Sequence, residues 1–405
     1  MKLSGKLLLL FSLLILAGFA CFNTNAHSND VNLPDRLNRF GLDLTRQLNE
    51  ETEDNLFLSA PSVSFALSLA AHGAEDKTRT EIAQLLNVED LPETEFNQLS
   101  RELLDSLLAA DTGVELHVAN SLWLQENFPF LENYVERSRE FYDAKVETAD
   151  FQDPETARRI NNWVSRQTQD KIEKIADEDA IRELIAMLLN AIYFDGQWTE
   201  EFDPDLTQPE PFYPADADPD TVSTMQREDD FAYLDKEDFQ AVSLPYGEGR
   251  FSMDLYLPDA DTPAEQFVKS ITYEKLQTWQ EDMREQEVEV KLPRFEIEYE
   301  KELREILEKM GMRQAFERYD ANFGRMVDLE ELTENVFIDF VKHKSYVEVD
   351  ERGTEAAAVT GIGVGVTAVQ PPPPTIHFDR PFFFLIRDHQ TGLHLFTGLV
   401  TDPTQ

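Results

Sequence analysis

The sequence predicts an α+β protein, with helices crowded into the first half of the chain and strands into the second. Apolar residues recur every three or four positions in early segments, which is typical of amphipathic helices. Later segments alternate apolar and polar residues, which is typical of half-buried strands. Between them, Leu184–Phe194 is apolar almost throughout and fits a strand that is covered on both faces. Together these patterns predict helices packed around a large central mixed β-sheet.

Three helices are predicted in the first half. The first carries its apolar face at Leu33, Leu37, Phe40, Leu44 and Leu48. The second, from Ser62 to Ala71, consists of small and apolar residues and is expected to be buried. Pro154 opens the third, whose apolar side holds Ile160, Trp163, Val164, Ile172 and Ile175.

Alternation predicts the remaining strands and one more helix. The alternating residues are Leu116, Val118, Asn120, Leu122 and Leu124; Val288, Val290 and Leu292; Phe295, Ile297 and Tyr299; and Val341, His343, Ser345, Val347 and Val349. Glu300–Gly311 is predicted to be a helix that glycine closes.

The first residues have the pattern of an export signal. Lys2 and Lys6 precede the apolar run Leu7–Ala20, which is too short to be a membrane span. Residues 1–26 are therefore predicted to be a signal peptide that is cut before His27. Alternatively, a lipoprotein signal ends at Ala20 and Cys21 carries a lipid, although Phe19 is bulky for such a site. We expect the protein to be secreted, extracellular or periplasmic, and lipid-anchored in the second case.

Composition excludes several classes of function. One cysteine leaves no intramolecular disulfide, and no catalytic thiol or thiolate zinc site in the mature chain. The 79 acidic and 36 basic residues give a net charge of −43, which repels nucleic acid and anionic lipid. No Gly-x-Ser-x-Gly, His-Glu-x-x-His or phosphate-loop motif occurs, and the seven histidines are scattered. Neither a catalytic residue, a metal site nor a cofactor is predicted.

The segment from Glu351 to Pro374 has the composition of an exposed loop, but its residues alternate as they do in a β-strand. Every second residue is small or β-branched and fits a buried face: Thr354, Ala356, Ala358, Thr360, Ile362 and Val364. Gly361, Gly363 and Gly365 are followed by no helix, so a dinucleotide loop is rejected. Four prolines end the segment and favour a stiff extended backbone that lacks amide donors. The first part of the segment therefore has the pattern of a β-strand, and the proline end is expected to act as a rigid spacer.

Five stretches resemble the serpin family, in order and at the family's spacing. They are Glu351-Arg-Gly-Thr-Glu-Ala-Ala-Ala358, Asn55-Leu-Phe-Leu-Ser-Ala-Pro-Ser-Val-Ser64, Asn190-Ala-Ile-Tyr-Phe-Asp-Gly-Gln-Trp198, Arg380-Pro-Phe-Phe-Phe-Leu-Ile-Arg-Asp-His-Gln-Thr-Gly392 and Gly398-Leu-Val-Thr-Asp-Pro403. The resemblance implies one serpin domain over residues 30–405, with a reactive-centre loop over 351–374. It also implies the serpin fold, in which a large central mixed sheet is accompanied by further sheets and surrounding helices. Ala60 departs from the family's usual proline, and Val359 interrupts the alanine run.

By this resemblance the protein is a suicide-substrate inhibitor of serine proteases and not an enzyme. A monomer would form a covalent 1:1 complex with the protease, and the cleaved loop would enter the central sheet. The alternative is a non-inhibitory serpin that acts as a carrier, chaperone or storage protein. A heparin-type polyanion is not expected as a partner, because Glu89–Asp111 is acidic where a basic helix face would be required.

The resemblance also assigns residue roles. The hinge comprises Glu351, Gly353, Thr354, Ala356, Ala357 and Ala358; the shutter comprises Ser59, Ser62, Asn190 and His343; and the breach comprises Trp198 and Arg294, the latter paired with Glu351. Counting from the hinge puts the reactive bond at Thr367–Ala368, with Val366 as a competitor. Counting back from Phe378 gives Gln370 instead. Small apolar neighbours favour an elastase-like or subtilisin-like target, and no basic residue lies between Arg352 and Arg380 to attract a trypsin-like one.

Overall fold

The helices are grouped mainly in the first half of the chain, as predicted. The structure is a computed structural model that describes residues 32–109, 113–215, 217–332, 335–353 and 372–404. The α-helices in these ranges are α1 (Leu33–Asn49), α2 (Ala60–Gly73), α3 (Asp76–Leu85), α4 (Glu93–Leu108), α5 (Glu132–Tyr142), α6 (Pro154–Gln167), α7 (Glu178–Ile181), α8 (Ala264–Ser270), α9 (Tyr273–Asp282) and α10 (Arg304–Lys309). In this part of the chain no helix is both long and apolar enough to cross a bilayer.

The strands form three separate hydrogen-bonded sheets within the described ranges. They are β1 (Leu56–Leu58), β2 (Val114–Gln125), β3 (Lys145–Ala149), β4 (Ala186–Gly196), β5 (Gln208–Phe212), β6 (Asp220–Asp235), β7 (Phe239–Tyr246), β8 (Phe251–Pro258), β9 (Arg284–Pro293), β10 (Phe295–Glu302), β11 (Lys342–Val349), β12 (Thr375–His377), β13 (Phe382–Asp388) and β14 (His394–Val400). The largest sheet has the order β1-β14-β13-β8-β7-β6-β9-β12, and β5 pairs with the first residues of β6. The other two sheets are β3-β2-β4 and the pair β10-β11.

Local sequence explains where the main helices begin. The Ser59 side chain accepts a hydrogen bond from the Ser62 amide and caps α2, and Pro61 lies in the first turn. Asp153 caps α6 in the same way, directly before Pro154. Two predicted helix boundaries were wrong. Helix α6 ends at Gln167, so Ile172 and Ile175 lie beyond it. Residues 300–302 belong to β10, and the helix begins only at Arg304.

Among the described residues, buried apolar side chains form two clusters. The main core includes the buried faces of α1, α2 and the largest sheet. A second cluster joins α6 to side chains of β2 and β4, and it contains Trp123, Ile160, Trp163, Met187 and Leu189. Ile172 and Ile175 belong to this second cluster although they are not helical. Their predicted contact with the apolar side of α6 is therefore made by the segment that follows the helix.

Candidate functional site

A gap separates the facing edges of β4 and β11. Strand β4 pairs with β2, from Val114 opposite Gly196 to Leu124 opposite Ala186. Strand β11 pairs with β10, from Phe295 opposite Val349 to Glu302 opposite Lys342. Within the described ranges neither strand has a ladder partner on its other edge. Each strand thus presents a row of backbone amide and carbonyl groups toward the gap.

The lower part of the gap is a cavity of about 550 Å³. Its walls come from α2, from residues 183–190 and from residues 335–344, and Ile175 contributes from the segment after α6. Ser62, Asn190 and His343 are among the lining residues. The exposed lining residues Glu183, Arg318 and Asp339 show that this space opens to solvent, so it is a pocket between the strands and not a void in the core.

The upper end of the gap is closed by residues 350–353. The Trp198 amide donates to the Arg352 carbonyl at 2.9 Å, and the Phe202 amide donates to the Glu351 carbonyl at 2.8 Å. The Trp198 indole N–H donates to the Asp350 carbonyl at 3.0 Å, while its ring stacks on Tyr246 with centroids 4.3 Å apart. The end of β4 and the chain after β11 therefore meet at one point, and both strands run toward it.

Gly353 lies at this meeting point and only glycine fits there. It forms an isolated bridge with Gln197, and its φ is +135°, a region that L side chains rarely adopt. A Cβ on Gly353 would lie 2.0 Å from the Gly196 carbonyl oxygen and 2.8 Å from the Gln197 Cα. Both of these neighbours are backbone atoms, so no side-chain movement would relieve the overlap.

Glu351 and Arg294 form the ion pair that the sequence predicted. The Arg294 Nε and Nη2 donate to Glu351 Oε1 at 2.9 and 2.5 Å, and the Thr207 hydroxyl donates to the same oxygen. The Glu351 side chain is 5% exposed and the Arg294 side chain is 46% exposed, so the pair is buried on its carboxylate side only. Burial favours a raised pKa for the Glu351 carboxyl, but the hydrogen bonds from Arg294 and Thr207 outweigh it and hold that pKa below the usual value.

The four predicted shutter residues are brought together beneath the gap. The Ser59 amide donates to His343 Nε2 at 3.3 Å, and the Ser62 hydroxyl donates to the Asn190 carbonyl at 3.4 Å. Because these contacts join α2 to β11 and to β4, the polar cluster bridges both sides of the gap. His343 is buried, and its burial lowers the pKa of the imidazole to about 4.

Two further polar residues extend this cluster and were not predicted as part of it. The Asn190 side chain donates to Asn120 Oδ1 at 2.9 Å, and Asn120 donates to the Tyr142 carbonyl at 2.7 Å. The Ser345 hydroxyl donates to the Phe57 carbonyl at 2.6 Å. Asn120 and Ser345 each occupy an apolar-face position in an alternating strand, which is the signal that would have identified them.

A segment that we call the crossing segment (residues 168–176) contacts both sides of the gap. Ile172 and Ile175 pack in the second cluster with residues of β4. Lys171 Nζ lies 3.2 Å from Glu348 Oε2 and 5.0 Å from the centroid of the Tyr346 ring, both on β11. The Tyr346 hydroxyl in turn donates to Glu348 at 3.0 Å. The crossing segment therefore links the two strands that share no backbone hydrogen bonds.

Several predicted site residues lie outside the described residues. These are the hinge residues Thr354, Ala356, Ala357 and Ala358, the bond Thr367–Ala368, its competitors Val366 and Gln370, and Cys21 of the export signal. Gly353 and the polyproline residue Pro372 mark the described ends on either side of the loop.

A serine, a histidine and an aspartate meet elsewhere but in the wrong order for a hydrolase. The Ser252 hydroxyl donates to Asp254 Oδ1 at 2.9 Å, and His389 Nε2 lies 2.9 Å from the same hydroxyl. A hydrolytic triad needs the carboxylate on the imidazole, where it orients the base. Here the carboxylate contacts the serine, which is itself only 1% exposed. This arrangement does not make Ser252 a nucleophile.

Comparison with known proteins agrees with this architecture. Residues 35–403 match the family model described as Serpin (serine protease inhibitor). Iripin-2 of Ixodes ricinus is 34% identical over 369 residues, which cover 90% of this chain and 91% of Iripin-2. The native structure of the thermophilic serpin tengpin superposes with a TM-score of 0.82 at 27% identity, covering 91% of this chain and 94% of tengpin. Human thyroxine-binding globulin in complex with thyroxine also gives 0.82, at 26% identity, covering 92% and 99%.

The fold and the split sheet are those of the class of proteins described as serpins, or serine protease inhibitors. The chain belongs to the serpin family. The predicted serpin fold is confirmed, with its β4 and β11 strands separated by the gap.

Proposed function

We propose that this protein traps serine proteases by inserting its cleaved loop, from residue 354 onward, into the gap between β4 and β11. One observation carries the proposal: two strands face each other with unpaired edges, and the loop begins at the closed end between them. Because both strands run toward Gly353, a segment that turns back into the gap would run antiparallel to both. Antiparallel pairing on each side would satisfy the two open rows of backbone groups.

The loop sequence fits this space. Gly353 to Val366 is 14 residues, which as a strand spans roughly 45 Å. The small inward set that begins at Thr354 suits the narrow upper end, and Gly353 supplies the backbone freedom for the reversal. Ser59, Ser62, Asn190 and His343 would have to part from one another as the strand enters. The roles of hinge, shutter and breach that we assign to these residues belong to this proposal.

Trapping would follow from the displacement of the attached protease. The protease serine attacks the loop carbonyl and forms an acyl-enzyme. Insertion then carries the ester about the length of a strand, and the pull distorts the oxyanion hole so that hydrolysis of the ester stalls. We assign the cleaved bond to Thr367–Ala368, with Val366 and Gln370 as the competing positions, and elastase-like or subtilisin-like enzymes as the targets.

A pair of loop variants tests the insertion. We expect the wild-type protein to give a band of covalent complex with elastase or subtilisin on a denaturing gel. Thr354→Arg puts a long charged side chain on the inward face, so we expect cleavage without complex. Glu355→Arg is the matched control, because the alternation places Glu355 outward, and it should trap like the wild type. If Thr354→Arg traps as well, or the wild type is cut while the protease keeps full activity, the proposal fails.

The non-inhibitory alternative has one observation in its favour, which is the similarity to the thyroxine complex of thyroxine-binding globulin. The alanines at 356–358 weigh against it, because a loop that does not insert has no need of small side chains there. A carrier would give a clean cut and no complex in the same experiment.

Export through residues 1–26 also belongs to the proposal. Mass spectrometry of the mature amino terminus distinguishes its two forms: a chain that begins at His27, or one that begins at a lipid-modified Cys21. A chain that retains Met1 and the residues after it would contradict both forms.

A further inference from the structure

We propose that the protein binds a small divalent oxyanion, such as sulfate or phosphate, at an arginine cluster formed by Arg79, Arg137 and Arg325 around Glu93. None of these four residues lines the cavity between β4 and β11, and the inference does not depend on the proposed loop insertion. It rests on an excess of positive charge, on N–H donors that have no partner and on the access of solvent to them.

The fold brings the cluster together from four separate parts of the chain. Arg79 lies on α3, Arg137 lies on α5, and Arg325 lies in the segment between α10 and β11. Glu93 is the first residue of α4, and its Oε2 accepts from Arg79 at 2.8 Å and from Arg325 at 2.9 Å. Its Oε1 accepts from Arg325 at 2.8 Å and lies 3.6 Å from Arg137 Nη1. Three guanidinium groups therefore converge on one carboxylate.

That carboxylate does not neutralise the three guanidinium groups. Among the described residues, Glu93 is the only acidic residue that forms an ion pair with any of them. His72 Nδ1 also lies 3.3 Å from Glu93 Oε1, but burial lowers the pKa of this imidazole, so it adds no charge near neutral pH. The arginine cluster thus keeps an excess of two positive charges, although the net charge of the protein is −43.

The excess charge acts on Arg137. Burial lowers the pKa of its guanidinium group, repulsion by Arg325 and Arg79 lowers that pKa further, and attraction by Glu93 does not cancel the two effects. His72, Arg325 and Arg79 hold the pKa of the Glu93 carboxyl well below its usual value, so the carboxylate is already fully ionised. Only a further anion would relieve the repulsion among the guanidinium groups.

Unused donors of the arginine cluster face solvent. A guanidinium group has five N–H donors, whereas Arg79 makes one side-chain hydrogen bond and Arg137 makes one, to the His72 carbonyl at 3.3 Å. Arg79 Nη2 and Arg137 Nη1 form no hydrogen bond within the described ranges and are not buried. The side chains of Arg79, Arg137 and Arg325 are 32%, 19% and 22% exposed. A ligand can therefore reach the first two of these groups without entering the core.

Charge and shape set the class of ligand. Guanidinium groups present paired N–H donors that match the oxygens of sulfate and phosphate, and such charge-assisted hydrogen bonds are strong. A doubly charged anion would balance the two excess charges. A long polyanion is not favoured, because the rest of α4 exposes Glu95, Glu102 and Asp105.

Equilibrium dialysis against radiolabelled inorganic sulfate at physiological ionic strength measures the binding. We expect a single saturable site and competition by inorganic phosphate, whereas perchlorate, which has the same shape but one charge, should compete about ten-fold more weakly. Arg79→Gln and Arg137→Gln should each weaken binding about ten-fold, as expected for the loss of one charge-assisted hydrogen bond. Arg36→Gln is the matched control, because Arg36 is 24% exposed but pairs with Asp90 alone, and it should bind like the wild type.

Phenyl phosphate distinguishes a free ion from an esterified group on a larger molecule. Competition at least as strong as that of inorganic phosphate supports a site for an esterified group. Weaker competition supports a site for the free ion, and the binding of sulfate stands in both cases.

Glu93→Gln separates an anion site from a cluster that only supports the fold. Loss of the carboxylate removes repulsion of the ligand and frees the donors of Arg325, so sulfate should bind about ten-fold more tightly. A variant that folds without this gain would overturn the inference. No saturable binding by the wild type, or equal weakening in the Arg36 and Arg137 variants, would overturn it as well. If Glu93→Gln does not fold, the comparison of the arginine variants decides.

Discussion

Gly353 and His343 lie toward opposite ends of the gap, and a different physical property fixes each of them. Gly353 has no Cβ and so lets residues 350–353 close against Gly196 and Trp198. His343 is buried and neutral, and in that state its Nε2 accepts from the Ser59 amide. The lack of a side chain is what the structure requires at Gly353, and the lack of charge is what it requires at His343.

The close approach at Gly353 predicts that Gly353→Ala destabilises the intact protein by about 3 kcal/mol or more, because strain at a special backbone conformation adds to a backbone clash. Gly392→Ala is the matched control: its φ is also positive, at +77°, but nothing lies within 4 Å of the added methyl. We expect it to cost about 1 kcal/mol. Denaturant unfolding of both variants checks this, and equal losses would show that the contact with Gly196 does not matter.

Burial of His343 and His394 predicts that stability falls as the pH is lowered. Burial lowers the pKa of both imidazoles to about 4. Below the unfolded-state value of about 6.5, the unfolded chain takes up protons that the native protein does not, so the free energy of unfolding decreases from pH 6.5 toward pH 4. Each histidine should cost about 2 kcal/mol at pH 5.

His343→Gln should therefore reduce the loss between pH 7.5 and pH 5 by about 2 kcal/mol, and His394→Gln should do the same from a position outside the cavity lining. Denaturant unfolding at the two pH values measures the difference. An unchanged pH dependence in the His343 variant would contradict the neutral, buried state of its ring.

At the scale of elements, the crossing segment is what joins β4 to β11 on the side of α6. Its apolar residues pack with the second cluster, and Lys171 reaches Glu348. A strand that enters the gap would displace it. The contact is therefore expected to oppose insertion.

We predict that Lys171→Met speeds trapping and lowers the number of inhibitor molecules consumed for each protease. The ion pair is partly exposed, so its loss should cost the intact protein only about 0.5 to 1 kcal/mol. Lys174→Met is the matched control, because Lys174 lies in the same crossing segment but pairs with Asp177 and not with a residue of β11. Trapping that is slower in the Lys171 variant, or equally fast in both variants, would contradict a restraining role.

Most elements were predictable from periodicity, and the failures have physical causes. The helix predicted from Glu300 begins later because residues 300–302 pair with β11, where Lys342 and Lys344 face Glu300 across the strands. Helix α6 is shorter than its apolar face suggested, since Ile172 and Ile175 reach the same cluster without helical backbone. The spacing of apolar residues indicates which side chains are buried, but it does not show whether a helix, a strand or a loop carries them.

At the scale of the whole molecule, the native protein holds a cavity and two open strand edges that a cleaved loop would fill. Nicking between Thr360 and Gln370 should therefore raise the melting temperature. About ten new ladder hydrogen bonds at about 1 kcal/mol each correspond to about 10 °C in a chain of this size. Calorimetry of intact and nicked protein measures the change, and no rise would end the proposal of insertion.

The polar site was largely predictable, but the gap was not. The family resemblance indicated Ser59, Ser62, Asn190 and His343, and the fold brings them together from three distant parts of the sequence. The sequence does not show that β4 and β11 fail to pair with each other. Each strand has the composition of a strand that is paired on both edges, so the gap depends on where the fold places the two strands. The alternation at Asn120 and Ser345 was visible, but only their neighbours in space explain why those positions are polar.

The second apolar cluster is separate from the main core, and this separation bears on how such a protein can evolve. Substitutions around α6 would alter how readily the crossing segment moves away from β11 when a strand enters the gap. They would not change the residues of the main core. Selection could then adjust the rate of the proposed trapping through the second cluster, while the residues of the main core stay unchanged.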